Sequence, residues 1–83
     1  MARKRYRFVV DGKKLRRARE GIDLTISQVT RELYAEHGVT LDDQSLRNYE
    51  AEKNAMPMWA GVLLCDLYGI KRHMDLVRRV KDD

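Results

Sequence analysis

The chain of 83 residues contains one cysteine, one proline and one tryptophan, and aromatic residues make up only 7% of it. Because Cys65 has no second cysteine with which to form an internal disulfide, we expect a reducing cytoplasm as its setting. No apolar run approaches the roughly 20 residues that span a bilayer, so no membrane segment is expected. The scarcity of aromatic side chains disfavours RNA recognition by base stacking.

Motifs of catalysis and cofactor binding are also missing. The sequence has no phosphate-binding loop, no dinucleotide-binding glycine pattern and no zinc-protease motif. His37, His73 and Cys65 are too far apart in sequence to suggest a metal site. Asp42 and Asp43 are adjacent carboxylates, but their place at a predicted helix start favours capping over acid–base chemistry. We therefore expect no enzyme, no metal and no cofactor, and a single domain of this size leaves no room for a small-molecule sensor.

Positive charge is concentrated at one end of the chain. Residues 1–20 hold nine Lys or Arg and two acids, whereas residues 21–83 hold eight Lys or Arg and eleven acids. A local excess of this kind suits a polyanionic partner. A solubilising tail on an ordinary domain explains the same charge pattern.

The stretch from Thr25 to Glu50 is the most informative part of the sequence. Thr25 and Gln28 have the spacing of a capping box, which begins a helix, and Gly38 fits the left-handed residue that ends one. An apolar stripe lies between them at Ile26, Val29 and Leu33. A second helix over about residues 43–51 follows, with three candidate N-caps: Thr40, Asp42 and Asp43. Two short helices joined by a turn predict a helix-turn-helix.

The second of these helices has an unusual outward face. Leu46 and Tyr49 point one way, at a spacing of three residues, and predict its buried side. Solvated helix faces are usually rich in Lys and Glu, whereas this face carries side chains that suit base edges and phosphates. They are Gln44, Ser45, Arg47 and Asn48. The pattern is typical of a recognition helix that enters the major groove.

Three further helices complete the predicted fold. The first spans Gly12 to Glu20 and ends at Gly21, a candidate left-handed residue. Another starts at Pro57 and ends at Gly69. Its predicted apolar face consists of Met58, Val62, Leu63 and Leu67. The last helix runs from about His73 to Lys81. The sequence thus predicts an all-α, compact five-helix bundle over residues 11–83, preceded by residues 1–10 as a basic N-terminal arm or short strand.

Residues 12–76 resemble the Cro and phage-repressor-like (XRE) helix-turn-helix family. The residues that carry the resemblance keep the family's order and spacing. They are Lys14-Leu15-Arg16-x-x-Arg19-Glu20, Leu24-Thr25, Gly38-Val39-Thr40, Leu46-x-x-Tyr49-Glu50, Pro57 and Leu67-Tyr68-Gly69-Ile70. The resemblance implies a lambda-repressor-like bundle and a bacterial or phage transcription regulator, such as a repressor. It also implies that double-stranded DNA is bound by a homodimer on a pseudo-palindromic site.

The resemblance also implies roles for individual residues. Arg19 and Glu50 match a family ion pair that joins the first helix to the end of the recognition helix. Ile26 stands where the family often has a phosphate-contacting glutamine, which leaves Ser27 or the backbone of Thr25 as candidates. Phosphate contacts are also implied for Lys53 and Asn54, just past the recognition helix. The arm residues Arg3, Lys4 and Arg5 are expected to contact phosphates or the minor groove.

Another class of function fits the same fold. The chain can be a protein-interaction module that docks on polymerase or on another regulator, or an antitoxin component. Neither needs contact with DNA bases. The acidic balance after residue 20 favours that alternative, whereas the outward face of the recognition helix favours DNA.

Overall fold

The computed structural model describes residues 5–82 of the chain, with side chains from Arg7 to Lys81. Four α-helices and a two-stranded antiparallel sheet make up the fold. The helices are α1 (Gly12–Gly21), α2 (Ile26–His37), α3 (Asp43–Glu50) and α4 (Met58–Tyr68). The strands are β1 (Arg5–Val10) and β2 (Val77–Asp82), and one 3₁₀ turn, His73–Asp75, precedes β2. Among the described residues, no helix combines the length and apolar character that crossing a membrane requires.

The prediction of an all-α, five-helix bundle is wrong, because the predicted helix from His73 to Lys81 is a 3₁₀ turn followed by β2. In β2, the residues Val77 and Val80 lie opposite Val10 and Arg7 of β1. The apolar residues Val77 and Val80 are three residues apart, which in so short a segment suits a helix. Pairing with β1, however, satisfies the backbone hydrogen-bonding groups of both strands. Within the predicted arm or short strand of residues 1–10, Arg5–Val10 form a strand.

Local signals place the helix ends well. Thr25 and Gln28 form the predicted capping box, and Gly38 ends α2 in the left-handed conformation with φ 65°. Gly69 ends α4 in the same way with φ 70°. At the end of α1, however, the left-handed residue is Asp23 and not Gly21, which is the last helical residue.

A single apolar core lies between the helices. Its fully buried side chains come from α1, α2, α3 and α4, and they are Leu15, Val29, Leu33, Leu46 and Leu64. The predicted apolar face of α4 is half right: Leu63 and Leu67 pack against the core, but Met58 is 86% exposed and Val62 is 55% exposed. Residues 58–68 contain one charged side chain, so α4 is apolar almost all round and its sequence does not select a face. The buried residues of α4 are Ala60, Leu64, Cys65 and Tyr68.

The hydroxyl of Tyr68 is buried without a hydrogen-bond partner among the described residues. Burial raises the pKa of Tyr68, with a smaller contribution from the nearby Glu50 carboxylate. An unpaired buried hydroxyl costs stability, so Tyr68→Phe is expected to leave the free energy of unfolding unchanged or to raise it by about 1 kcal/mol. Urea denaturation measures this, with Tyr34→Phe at an exposed tyrosine as the matched control. A clear loss of stability in Tyr68→Phe alone would contradict the assignment.

Candidate nucleic-acid interface

The start of α3 is fixed by two aspartates with different tasks. Asp42 is the N-cap, and its Oδ1 accepts a hydrogen bond of 2.6 Å from the backbone N–H of Ser45. That hydrogen bond lowers the pKa of Asp42. Of the three candidate caps, Thr40 and Asp43 are thus excluded, and α3 begins at Asp43.

Asp43 fastens α3 to α2. Its carboxylate accepts hydrogen bonds from the hydroxyls of Ser27, at 2.5 Å, and Thr30, at 2.7 Å. These two bonds, with that from Ser27 the larger cause, lower the pKa of Asp43. Because Ser27 has one hydroxyl hydrogen and donates it to Asp43, its side chain is already engaged within the motif. The structure therefore gives Ser27 a positioning contact in the turn.

Thr25 is engaged in the same way at the start of α2. Its Oγ1 accepts from the backbone N–H of Gln28 at 3.2 Å, and its own backbone N–H donates to Gln28 Oε1 at 2.8 Å. The backbone N–H that the resemblance offered to a phosphate is thus used by the capping box.

The outward face of α3 holds the predicted reading residues together. Gln44 and Arg47 are exposed, Ser45 and Asn48 are half-buried, and Leu46 is fully buried beneath them. Gln44 Nε2 donates to Asn48 Oδ1 at 3.0 Å, one turn along the helix. This bond aligns two amide side chains whose remaining donors and acceptors suit an adenine edge.

The end of α3 is held by the ion pair that the resemblance implied. Arg19 Nε and Nη2 lie 2.8 Å and 3.0 Å from the two carboxylate oxygens of Glu50, a bidentate geometry. Arg19 Nη1 donates to the carbonyl oxygen of Leu24 at 2.8 Å. The hydrogen bonds that Arg19 donates to the Glu50 carboxylate raise the pKa of Arg19. With only 12% and 8% of their side chains exposed, Arg19 and Glu50 fix the angle of α3 against α1.

One further arginine belongs to this surface. A depression between α1, the start of α2 and α3 contains Arg16 and Ile26 together with Arg47. From the sequence, Arg16 is expected on the outer side of α1, and no functional role is predicted for it. Its spacing of three residues before Arg19 is the signal that places it on the face of α1 next to α3. Arg16 also pairs with Glu20 at 3.2 Å, at an exposed position.

The loop after α3 places Lys53 and Asn54 next to the sheet. Both side chains are exposed, and the backbone N–H of Lys53 donates to the carbonyl oxygen of Asn48 at 2.8 Å. The loop therefore continues directly from the outward face of α3. Of the predicted arm residues, Arg3 and Lys4 lie outside the described residues, and Arg5 opens β1 opposite Asp82.

Glu52 is the residue that the sequence did not single out. Its carboxylate is paired with both Nη atoms of Arg78 at 2.6 Å, and it accepts the backbone N–H of Gly12 at 3.1 Å. It thus links the loop after α3 to α1 and to β2. Its partners lie 26 and 40 residues away in sequence, so no local pattern reveals them.

Glu52 makes the fold sensitive to acid. The hydrogen bonds from Arg78, then that from Gly12, lower the pKa of Glu52 from 4.5 to about 2. A depressed carboxylate pKa contributes stability above pH 4.5, and this contribution is lost as the pH falls from 4.5 towards 2. Glu52→Gln is therefore expected to flatten the fall of the melting temperature across that window. Thermal melts from pH 2 to 7 measure it, with Glu32→Gln as the exposed control; parallel curves for wild type and Glu52→Gln would contradict the assignment.

Comparison of the chain with known protein families, curated proteins and solved structures finds no match.

Proposed function

We propose that this protein is a sequence-specific regulator of transcription that binds double-stranded DNA in the manner of the Cro and phage-repressor-like family. On this proposal it acts in the cytoplasm of a bacterium, or as a phage product there, as a homodimer on a pseudo-palindromic site. The observation that carries the proposal is the outward face of α3, which presents Gln44, Ser45, Arg47 and Asn48 above the buried Leu46.

The way in which α3 is held supports a reading role. Its start is bound to α2 through Asp43, and its end is bound to α1 through Glu50. Base recognition requires side chains placed to within a fraction of an ångström, and a helix fixed at both ends supplies that precision. Arg47 suits a bidentate contact with guanine, and the Gln44–Asn48 pair suits adenine.

Alanine variants of the four outward residues test this function. Loss of Arg47 or Gln44 is expected to cost about 1–3 kcal/mol on the selected site and less on random duplex, because base contacts contribute little there. Lys53→Ala is expected to weaken both duplexes by similar factors, because phosphates carry no sequence information. Competition titrations against selected and random duplex measure both effects. Wild-type discrimination in all four variants would exclude α3 as the reader.

A second candidate function rests on α4. Met58, Trp59 and Val62 are 86%, 47% and 55% exposed on one helix, an apolar surface that suits a protein partner. On this alternative the domain docks on polymerase or on another regulator, or serves as an antitoxin. Substitution of Met58 and Val62 by Ser, with co-purification of a bound protein as the readout, distinguishes it from DNA reading.

A further inference from the structure

The two strands together carry a net positive charge. β1 and β2 contain five Lys or Arg and one Asp, a net charge of +4, whereas residues 11–76 have a net charge of −1. The termini are far apart in sequence, and the pairing of β1 with β2 brings these charges into one ribbon. The ribbon therefore joins basic residues from two distant parts of the chain.

Three contacts hold the base of this ribbon beside α1 and the loop after α3. Arg78 of β2 pairs with Glu52 of the loop, and Lys14 Nζ of α1 donates to the carbonyl oxygen of Val77 at 2.9 Å. The backbone N–H of Asp11 donates to the carbonyl oxygen of Leu76 at 2.8 Å. The ribbon consequently has a fixed position relative to the end of α3.

A cleft of about 560 Å³ separates the ribbon from the loop after α3. Arg7 lines it from β1, and Lys53 and Asn54 line it from the loop. Arg7, Val9, Arg78 and Val80 share one face of the sheet, as their register requires, and that face forms one wall. Glu52 also lines the cleft, where its carboxylate is paired with Arg78. Basic and amide side chains from β1 and the loop thus converge on the cleft beside this ion pair.

We propose that this cleft binds the phosphodiester backbone of the duplex whose bases α3 reads, so that the ribbon acts as a wing beside the recognition helix. The inference rests on the proposed function and extends it to β1. Guanidinium, ammonium and amide donors are the groups that hold DNA phosphates. Because Lys53 is bonded through its backbone to Asn48, the cleft lies directly beyond the reading face.

The charge of the ribbon argues against a second copy of the chain as its partner. The outer edges of β1 and β2 can pair with a second copy of the chain. Such pairing brings together two ribbons that each carry a net charge of +4. Like charges across strands are destabilising, whereas the same charge favours a polyanion.

The test compares Arg7→Ala and Arg7→Gln with Lys71→Ala, an exposed lysine outside α3 and the ribbon. Fluorescence anisotropy measures affinity on selected and random duplex across a salt series. Loss of one phosphate contact flattens the slope of log K against log salt by about 0.9. A variant that equals wild type at 1 M salt then binds roughly 8-fold more weakly than wild type at 0.1 M. We expect that loss on both duplexes for the Arg7 variants and none for Lys71→Ala. Circular dichroism verifies folding.

Hydroxyl-radical footprinting adds a readout of position. With wild type, protection is expected to extend beyond the bases read by α3, and Arg7→Gln is expected to lose that flank alone. If wild type discriminates and Arg47→Ala loses discrimination, while the Arg7 variants keep the wild-type salt slope and footprint, the cleft inference is overturned and the proposed function stands. If the Arg7 variants differ from wild type in the molar mass measured by light scattering, the ribbon is a subunit interface and not a phosphate site. Failure of wild type to bind any duplex overturns both proposals.

Discussion

Glu50→Ala is expected to destabilise the domain by about 3–5 kcal/mol, because it leaves the Arg19 guanidinium buried without its carboxylate. In a domain of this size that loss lowers the melting temperature by roughly 15 °C or more. Glu32→Ala, at an exposed glutamate of α2, is the matched control and is expected to change stability by less than about 0.5 kcal/mol. Equal, small losses in the two variants would show that Arg19 and Glu50 do not anchor α3.

A double variant identifies the cause of the loss. If the cost of Glu50→Ala is a stranded charge, replacing both partners by apolar residues of similar volume removes that charge. Arg19→Met with Glu50→Leu is therefore expected to recover a large part of the stability lost in Glu50→Ala. A double variant as unstable as the single one would assign the loss to packing at Glu50 instead.

Gly12→Ala is the second substitution with a large expected effect. A Cβ at Gly12 would lie 2.0 Å from the carbonyl oxygen of Glu50 and 2.7 Å from its carbonyl carbon, so α1 or the end of α3 must shift. The same shift breaks the hydrogen bond from the Gly12 N–H to Glu52. Because the added Cβ would meet backbone atoms, no flexible side chain can move to relieve the clash. We expect the free energy of unfolding to fall by about 3 kcal/mol or more.

Gly21→Ala is the matched control for Gly12→Ala. Both glycines lie in α1, but a Cβ at Gly21 meets nothing within 4 Å and its φ is not positive. Alanine is the better helix former, so Gly21→Ala is expected to be neutral or to stabilise by up to about 1 kcal/mol. Urea denaturation of the two variants measures the contrast. Similar stabilities would contradict the close approach of α1 to Glu50.

The two large effects concern the same point of the fold, where α1 meets the end of α3. Arg19 reaches Glu50 from the last turn of α1, and Gly12 contacts the Glu50 backbone from its first turn. The orientation of the outward face of α3 therefore depends on α1 along its whole length. On the proposed function, loss of DNA affinity in a destabilised variant has to be separated from loss of a DNA contact, and substitution of the exposed Arg47 provides the contact variant.

Local sequence signals account for much of the fold. The capping box at Thr25, the left-handed Gly38 and Gly69, and the buried Leu46 follow from the spacing of residues only a few positions apart. The pair between Arg19 and Glu50 spans 31 residues, and only the family resemblance implied it.

The features that were not predicted depend on partners distant in sequence or on composition that carries no direction. The strand β2 is defined by β1, which is separated from it by all four helices, and its own six residues fit a helix or a strand. In the sequence, Glu52 is an ordinary loop glutamate, because its partners Gly12 and Arg78 lie beside it only in the folded structure. The buried face of α4 is determined by packing against the other helices, because α4 carries apolar side chains on nearly all sides.

A binding selection from random duplexes, carried out with the full chain, measures directly whether α3 reads bases. We expect an enriched pseudo-palindrome whose half-sites are one helical turn, about 10–10.5 base pairs, or a multiple of it apart. We also expect Arg47→Ala to relax the preference at one position of each half-site. Recovery of unenriched sequence by a folded wild-type chain would contradict a base-reading role for α3.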